Sequence, residues 1–252
     1  MRIDFLTLFP EMCQTVMGQS IIGRAVEKGI LDIACHNIRD YTTNKQKQVD
    51  DAPFGGGMGM VMQAQPIYDC FLAVKEMHPA PPKVIYLSPQ GKTLTQQKAL
   101  ELSKLPRLLL LCGHYEGVDE RVLEQMEVEE ISIGDYVLTG GELPAMVLAD
   151  AVCRMVPGVL AAEECFTEES HFSGLLEYSH YSRPREWMGR EVPEVLCSGH
   201  HENIRKWRRE QSLRRTLRKR PEMMETAPLT KEDGKLLEKI IRELEGDLGK
   251  SQ

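Results

Sequence analysis

Apolar positions in the N-terminal half of the chain predict buried strands that alternate with helices. Three apolar runs, at residues 84–87, 108–112 and 131–133, each lead into a glycine-containing loop and then into a helix. The run at 108–112 is apolar throughout, which is typical of a parallel strand covered on both faces. This alternation predicts an α/β domain built on a parallel sheet.

The chain before these units is predicted to begin with a strand over Ile3–Phe9 and a helix that starts at Pro10. A second helix is expected to be capped by Ser20, because a serine side chain can accept a hydrogen bond from the first-turn amides. Residues 41–53 are polar and are not expected to pack. The glycine-rich residues 54–63 are expected to form either a flexible surface loop or a substrate lid.

The three loops that follow the apolar runs are the candidate ligand site. Parallel strands end at one edge of their sheet, so such loops frame a single pocket, and glycines let a ligand approach the main chain closely. Only Lys92 and Arg121 bring positive charge to these loops, which favours a neutral or zwitterionic ligand over a phosphate. A nucleotide-binding P-loop is excluded, because Tyr86 stands where that motif requires glycine.

The composition is typical of a soluble globular protein, with 42% apolar and 27% charged residues. No signal peptide is recognisable, and no apolar run reaches membrane-spanning length. The seven cysteines are scattered, odd in number and free of any Cys-x-x-Cys pair. We therefore expect reduced thiols in a cytoplasmic protein, with no membrane contact, no disulfide and no metal site of its own.

Charge is distributed unevenly along the chain. The net charge is −7, yet residues 203–220 contain nine basic residues and one acid, which leaves −15 on the remainder. This separation predicts a local phosphate-binding patch on an acidic body. Ahead of it, residues 174–187 interleave aromatics with Arg183 and Arg185, and these aromatics either stack on unpaired RNA bases or pack in a core.

The basic stretch is predicted to be helical, with two possible arrangements. Ile204 and Trp207 share one face, whereas Leu213 and Leu217 fall on nearly the opposite face. The helix therefore either breaks near residues 211–212 or is buried on two sides.

A last amphipathic helix is predicted near the end of the chain. Thr230, with Asp233 three residues later, has the spacing of a helix cap. The apolar stripe of this helix is expected to consist of Leu236, Leu237, Ile240, Ile241 and Leu244.

Six segments of the chain form a distinctive set. They are Phe54-Gly-Gly-Gly-Met-Gly-Met, Tyr86-Leu-Ser-Pro-Gln-Gly, Cys112-Gly-His-Tyr-Glu-Gly-Val-Asp-Glu-Arg, Ile133-Gly-Asp-Tyr-Val-Leu-Thr-Gly-Gly-Glu, His180-Tyr-Ser-Arg-Pro and Ser198-Gly-His-His. In this order they closely resemble the bacterial tRNA (guanine-37-N1)-methyltransferases, which belong to the SPOUT class. The resemblance extends over nearly the whole chain, to about Pro221.

The resemblance implies an α/β fold of the SPOUT type, with a parallel sheet, a C-terminal trefoil knot and a small, mainly helical C-terminal domain. The implied boundaries are residues 1–160 for the cofactor-binding and catalytic domain, 161–172 for an interdomain linker, and 173–252 for the helical tRNA-binding domain. It also implies S-adenosylmethionine bound in the knot, and an obligate homodimer whose active site combines both subunits. General rules of chain topology argue against a knot, so only the resemblance predicts it.

The resemblance also assigns roles to individual residues. Arg154 corresponds to the catalytic arginine of the family. The family's catalytic base is an aspartate, and this chain departs from the pattern with Glu169; the adjacent Glu168 would substitute if the alignment shifts by one residue. The residues implied to bind the cofactor are Tyr86, Leu87, Ser88, Pro89, Gly113, Tyr115, Glu116, Ile133, Gly134, Asp135, Tyr136, Val137, Leu138, Gly140 and Gly141. Those implied to hold the anticodon arm of the tRNA are Arg183, Arg205, Lys206, Arg208, Arg209, Arg214 and Arg215.

A carboxylate and an arginine suit methylation of guanine N1. That nitrogen carries a proton at neutral pH and becomes a good nucleophile once a base removes the proton, while a guanidinium beside O6 stabilises the charge that develops. Mg²⁺ is implied only as an ion that accompanies the tRNA, since nothing in the sequence has metal-ligand spacing.

The expected function is therefore S-adenosylmethionine-dependent methylation of N1 of guanosine 37 in tRNA. Two alternatives remain open. One is a SPOUT methyltransferase that acts on another RNA position. The other is a non-catalytic RNA-binding dimer, which only the change from aspartate to Glu169 favours.

Overall fold

The computed structural model describes residues 1–162, 166 and 169–248, with side chains described as far as residue 243. The chain divides into two compact units, Met1–Glu163 and Glu164–Gln252. Of the predicted linker, residues 163–165, 167 and 168 lie outside the described residues.

The first unit is built around a five-stranded parallel sheet, which confirms the predicted α/β class. Its strands are β1 (Arg2–Thr7), β2 (Asp32–Asn37), β5 (Lys83–Thr93), β6 (Arg107–Leu111) and β7 (Glu129–Ser132). They lie in the order β2-β1-β6-β5-β7, and every neighbouring pair is parallel. The central strand β6 is buried along its whole length, as its unbroken apolar run predicts. A separate antiparallel pair consists of β3 (Asp50–Asp51) and β4 (Val61–Met62).

Helices connect these strands. They are α1 (Pro10–Met17), α2 (Ser20–Glu27), α3 (Ala64–Glu76), α4 (Gln96–Ser103), α5 (Glu120–Gln125) and α6 (Glu142–Cys153), with a 3-10 helix at Ile38–Tyr41. Helix α1 packs on α6, and α3 packs on α5. Apolar side chains of α3 and α5 form one core cluster with β6, through residues such as Ile67, Val74 and Leu109.

Two local predictions in this unit are wrong. Ser20 is the first residue of α2 and does not cap it, because the extended N-cap position is occupied by Gln19 and no side chain caps the helix. Residues 41–53 do pack in part, since Val49 is fully buried in the core. Its side chain joins the apolar cluster that contains Met62 and Ile67, and the amide of Gln63 donates to its carbonyl at 2.8 Å, next to the short β3–β4 pair.

Strand β5 is longer than predicted, and the first glycine loop lies within it. Leu87 and Lys92 both pair with Ile131 of β7, so the four residues between them leave the ladder. Gly91 closes this bulge against β7, where a Cβ would lie 2.4 Å from the carbonyl carbon of Glu130. The strand therefore continues beyond the loop.

The second unit contains the basic stretch as one unbroken helix, His201–Lys219, here called the basic helix. The alternative with a break near residues 211–212 is therefore wrong. The buried residues of the helix are Ser212, Leu213 and Thr216, whereas Ile204 and Trp207 are half-buried. Leu213 packs with Leu175 and Ile240 in a small core. Other elements within the described residues are the antiparallel hairpin of β8 (Glu186–Trp187) and β9 (Arg190–Glu191), a one-turn helix at Glu194–Cys197, a 3-10 helix at Pro221–Glu225 and the C-terminal helix, Lys231–Leu248.

The cap of the C-terminal helix is the predicted one. The amide of Asp233 donates to Thr230 Oγ1 at 3.2 Å, and the amide of Thr230 donates to Asp233 Oδ2 at 2.8 Å. The apolar stripe is narrower than predicted, because Ile240 is buried whereas Ile241 is exposed. The predicted member Leu244 lies outside the described side chains.

Candidate active site

The three glycine loops converge on one cavity of about 250 Å³, at the carboxyl ends of β6 and β7 and beside the bulge within β5. All the predicted cofactor residues line it except Asp135. The sequence reasoning missed further lining residues. Some lie inside the same loops, and that position is the signal that would have found them; the others lie on β7, α5 and α6, next to those loops. The missed residues are Gln90, His114, Gly117, Val118, Glu120, Leu123, Glu130, Ile131, Ser132, Thr139 and Pro144.

The second and third loops touch through their main chains. The amide of Gly141 donates to the carbonyl of Gly113 at 2.7 Å, and His114 pairs with Gly140 as an isolated antiparallel bridge. A Cβ on Gly141 would lie 2.7 Å from the amide nitrogen of Gly113, so this approach requires glycine. The two loops are therefore held against each other beside the cavity.

Carboxylates give the cavity its charge. Glu116, Glu120 and Glu130 line it, and among the described lining residues there is no lysine or arginine. Burial, together with the charges of Glu130 and Glu120, raises the pKa of Tyr86 to about 12. Tyr86 is therefore a neutral hydroxyl at neutral pH. Because the three glutamates line the cavity without a lysine or arginine beside them, the cavity favours a ligand that carries positive charge.

A buried hydrogen bond connects the end of the third loop, at the start of α6, to the sheet. Glu142, the first residue of α6, is only 4% exposed. Thr7, at the end of β1, donates a hydrogen bond from Oγ1 to Glu142 Oε1 at 2.8 Å. The same Thr7 oxygen accepts from the amide of Phe9 at 2.9 Å. One buried threonine therefore connects β1, the start of α1 and the end of the third loop.

The glycine-rich segment 54–60 ends beside the second loop. The amide of Glu116 donates to the carbonyl of Met60 at 3.0 Å. Phe54 and Met58 expose almost their entire side chains to solvent. Exposed apolar side chains on a segment that ends beside the second loop are consistent with the lid hypothesis, which stays a prediction.

The two predicted catalytic residues lie in different units. Arg154 is half-buried at the C-terminal end of α6. Glu169 is half-buried, and its amide donates to the carbonyl of Phe166 at 3.3 Å. Just after it, Ser170 Oγ accepts from the amide of Glu177 at 3.1 Å, so the chain beside Glu169 is held within the second unit. The alternative base, Glu168, lies outside the described residues.

Some of the predicted RNA-binding arginines make contacts within the second unit. Arg209 forms a paired hydrogen bond to the buried Asp233, with both distances at 2.8 Å. Arg214 binds Glu243 at 2.6 Å and Glu210 at 3.1 Å.

The remaining predicted RNA-binding residues differ in exposure. Arg208 lies over the ring of Tyr178, 4.6 Å from its centroid, and Arg215 donates to Ser179 Oγ at 3.0 Å. The side chains of Arg205 and Lys206 are mostly exposed and share Glu202 as a partner. Arg183 is exposed as well.

Two classes of feature are absent from the described part of the chain. No helix there is long and apolar enough to cross a membrane. Across those same residues, no group of three or more His, Cys, Asp or Glu side chains is arranged to hold a metal ion.

Comparison with known proteins gives a consistent result over nearly the whole length. A family model described as tRNA (Guanine-1)-methyltransferase TrmD matches residues 1–226. A tRNA (guanine-N(1)-)-methyltransferase of Ruminiclostridium cellulolyticum is 60% identical over 228 residues, which are 90% of this chain and 98% of that protein. The protein of that name from Alkaliphilus oremlandii is 57% identical over 245 residues, covering 95% of this chain and 98% of its own. The one from Clostridium perfringens is 56% identical over 237 residues, covering 94% and 99%.

Proposed function

The chain belongs to the tRNA (guanine-1)-methyltransferase family, and we propose that it methylates N1 of guanosine 37 in tRNA. It is thus an enzyme, and its methyl donor is S-adenosylmethionine. The observation that carries the proposal is the convergence of three glycine loops on one carboxylate-lined cavity. The assignment of nucleotide 37 as the target rests on the resemblance of the six sequence segments. Membership of an enzyme family disfavours the alternative of a non-catalytic RNA-binding dimer.

The residues of the cavity fit S-adenosylmethionine. Gly113 and Gly141 approach too closely to admit a side chain, so the second and third loops are held together beside the cavity. The carboxylates of Glu116, Glu120 and Glu130 complement a ligand with a sulfonium and an ammonium group. When bound, S-adenosylmethionine supplies an electrophilic methyl group on its sulfur.

Glu169 and Arg154 are the proposed catalytic residues. The carboxylate of Glu169 accepts the proton from guanine N1, and the guanidinium of Arg154 stabilises the negative charge that develops on O6. Changing Glu169→Gln preserves size but removes the basic oxygen, so turnover should fall by about 100-fold or more. S-adenosylmethionine affinity, measured by calorimetry, should stay within about twofold. Methylation at a near-wild-type rate would assign the base to another residue.

A second copy of the chain is the proposed partner of an apolar face on the first unit. Met12 and Val16 of α1, and Leu143 and Val147 of α6, are each about half exposed, and the two helices pack on each other. An apolar face of this kind marks an interaction surface. Because the third loop leads directly into α6, a copy seated there lies beside the cofactor cavity, as a shared active site requires.

The remaining architecture follows the family. We propose that the cofactor loops belong to a trefoil knot, and that domain boundaries lie at residues 1–160, 161–172 and 173–252. We also propose that exposed basic residues such as Arg183, Arg205 and Lys206 hold tRNA phosphates, which gives binding a steep salt dependence. Arg209 and Arg214 contribute to stability through their carboxylate partners. Mg²⁺ accompanies the tRNA, and the enzyme acts in the cytoplasm.

The test uses methyl-labelled S-adenosylmethionine and a tRNA transcript with guanosines at positions 36 and 37. A matched transcript with adenosine at position 37 is the control. We expect label on the first transcript only, together with a reverse-transcription stop caused by methylated N1 of guanosine 37. A stop at a different nucleotide would favour a SPOUT enzyme with another target, and absence of label from both transcripts would contradict the proposed function.

A further inference from the structure

The hairpin β8–β9 presents a solvent-exposed tryptophan. Trp187 is 63% exposed and Met188, at the turn, is 81% exposed. Glu186 pairs with Glu191, and Trp187 pairs with Arg190. The amide of Val192 donates to the carbonyl of Arg185 at 2.9 Å, which extends the ribbon by one more pair. Trp187 therefore does not belong to a core, which was the alternative explanation for the aromatics in this region.

The register of the hairpin separates its charges by face. Successive residues of a strand point to opposite faces, and directly paired residues share a face. Arg185, Trp187 and Arg190 therefore lie on one face, and Glu186 and Glu191 lie on the other. One side of the ribbon is aromatic and basic, and the opposite side is acidic.

Two features of the hairpin are unfavourable for its own stability. Met188 has a φ of +51°, a left-handed conformation that glycine, asparagine or aspartate adopts more easily than a long side chain. Glu186 and Glu191 stand directly opposite each other, and like charges in that position are destabilising. An exposed, strained apolar tip points to a surface that is used for binding.

We propose that the Trp187 face of this hairpin is an RNA-docking surface, on which Trp187 stacks against an unpaired base of the substrate tRNA while Arg185 and Arg190 meet adjacent phosphates. The assignment rests on the proposed function, because tRNA is the RNA in question. The chemistry is that of single-stranded RNA recognition, in which aromatic rings stack on bases and nearby arginines bind the backbone. The acidic face, which RNA would avoid, fixes which side of the ribbon docks.

Intrinsic fluorescence tests the stacking directly. The chain has two tryptophans, so changing Trp207→Phe leaves Trp187 as the sole indole emitter. We expect its emission to fall on titration with tRNA, because a stacked base quenches an indole. A Trp187→Phe protein, which retains Trp207, is the matched control and should show a smaller change. Unchanged Trp187 emission at tRNA saturation would overturn the proposal.

Affinity measurements separate the two faces. Trp187→Ala should raise the Kd for tRNA by about 5- to 150-fold, and Trp187→Phe should restore most of the affinity. Arg190→Gln should weaken binding and reduce the slope of log Kd against log salt by about one. Glu191→Gln changes a neighbouring exposed residue on the opposite face and should leave Kd within about twofold. Equal weakening by Arg190→Gln and Glu191→Gln would refute the face assignment.

Failure of this inference is distinguishable from failure of the proposed function. The Trp187→Ala protein is also assayed for S-adenosylmethionine binding, which should match the wild type because no residue of the hairpin lines the cavity. If the wild-type enzyme methylates tRNA but Trp187→Ala leaves the Kd for tRNA unchanged, only the hairpin proposal is refuted. If the wild-type enzyme methylates no tRNA, the proposed function itself is refuted.

Discussion

Replacement of Thr7 by valine tests whether a single buried hydroxyl holds the third cofactor loop in place. Valine has nearly the same shape as threonine but has no hydroxyl to donate. In the Thr7→Val protein the carboxylate of Glu142 loses its donor at 2.8 Å, and the amide of Phe9 loses its acceptor at 2.9 Å. Both Thr7 and Glu142 are buried, so water does not readily replace the lost bond.

The expected loss follows from the chemistry of this bond. A hydrogen bond to a charged group contributes about 1.5–3 kcal/mol, and leaving a buried acceptor unsatisfied costs a similar amount. We expect the free energy of unfolding of the first unit to fall by about 2–3 kcal/mol. Because Glu142 directly follows the loop that ends at Gly141, we also expect weaker S-adenosylmethionine binding, by about tenfold or more, equivalent to about half of that energy.

Urea denaturation followed by circular dichroism measures the first effect, and titration calorimetry measures the second. The control is Thr7→Ser, which keeps the hydroxyl and removes one methyl group, at a cost of about 1 kcal/mol. A Thr7→Val protein within about 0.5 kcal/mol of the wild type, or a Thr7→Ser protein with equally weak cofactor binding, would refute the reasoning, since the hydroxyl would then not be the important group.

Three further outcomes are expected. Gly141→Ala should abolish measurable S-adenosylmethionine binding by calorimetry, because its Cβ would lie 2.7 Å from the amide nitrogen of Gly113; binding at wild-type affinity would contradict the observed loop contact. Arg107→Met should lower the free energy of unfolding by about 3–5 kcal/mol. The fully buried guanidinium of Arg107 donates to Asp4 at 2.9 Å and to four carbonyls at the end of α3 and just beyond it. Arg2 contacts the same carboxylate from nearer the surface, so an Arg2→Met protein with an equal denaturation midpoint would contradict this prediction. Burial opposes ionisation of Asp4, but hydrogen bonds from His36 and Arg2 outweigh it and lower its pKa from 3.8 to about 2. The ionised carboxylate therefore adds about 2 kcal/mol to the free energy of unfolding above pH 3.8, and this contribution is lost as the pH falls towards 2. Acid titration monitored by circular dichroism should show the stability difference between wild type and Asp4→Asn disappear over that range.

Several features of the fold could be predicted because their cause is local. The uninterrupted apolar run of β6 indicates a strand buried on both faces, and it is one. The cap formed by Thr230 and Asp233 depends on residues three positions apart, which the sequence displays directly. The glycine loops could be found for the same reason, since the residues that admit close main-chain contact follow each apolar run.

Other features depend on partners that are distant in the sequence. The bond between Thr7 and Glu142 joins residues 135 positions apart, and no local pattern relates them. In the sequence, Arg209 is indistinguishable from the other basic residues of its stretch. In the structure, the C-terminal helix places Asp233 at a hydrogen-bond distance of 2.8 Å from it. Val49 lies in a polar segment, and its burial depends on a core cluster that includes residues as distant in sequence as Leu109.

The sequence by itself determined the α/β class, the three loops and the family, because periodicity, glycine placement and specific strings are properties of consecutive residues. Tertiary structure alone decided which arginines bind carboxylates of their own unit, that Trp187 lies on an exposed ribbon, and that the third loop is fastened to β1. The physical reason is that burial and hydrogen-bond partnership are set by which distant segments meet in space.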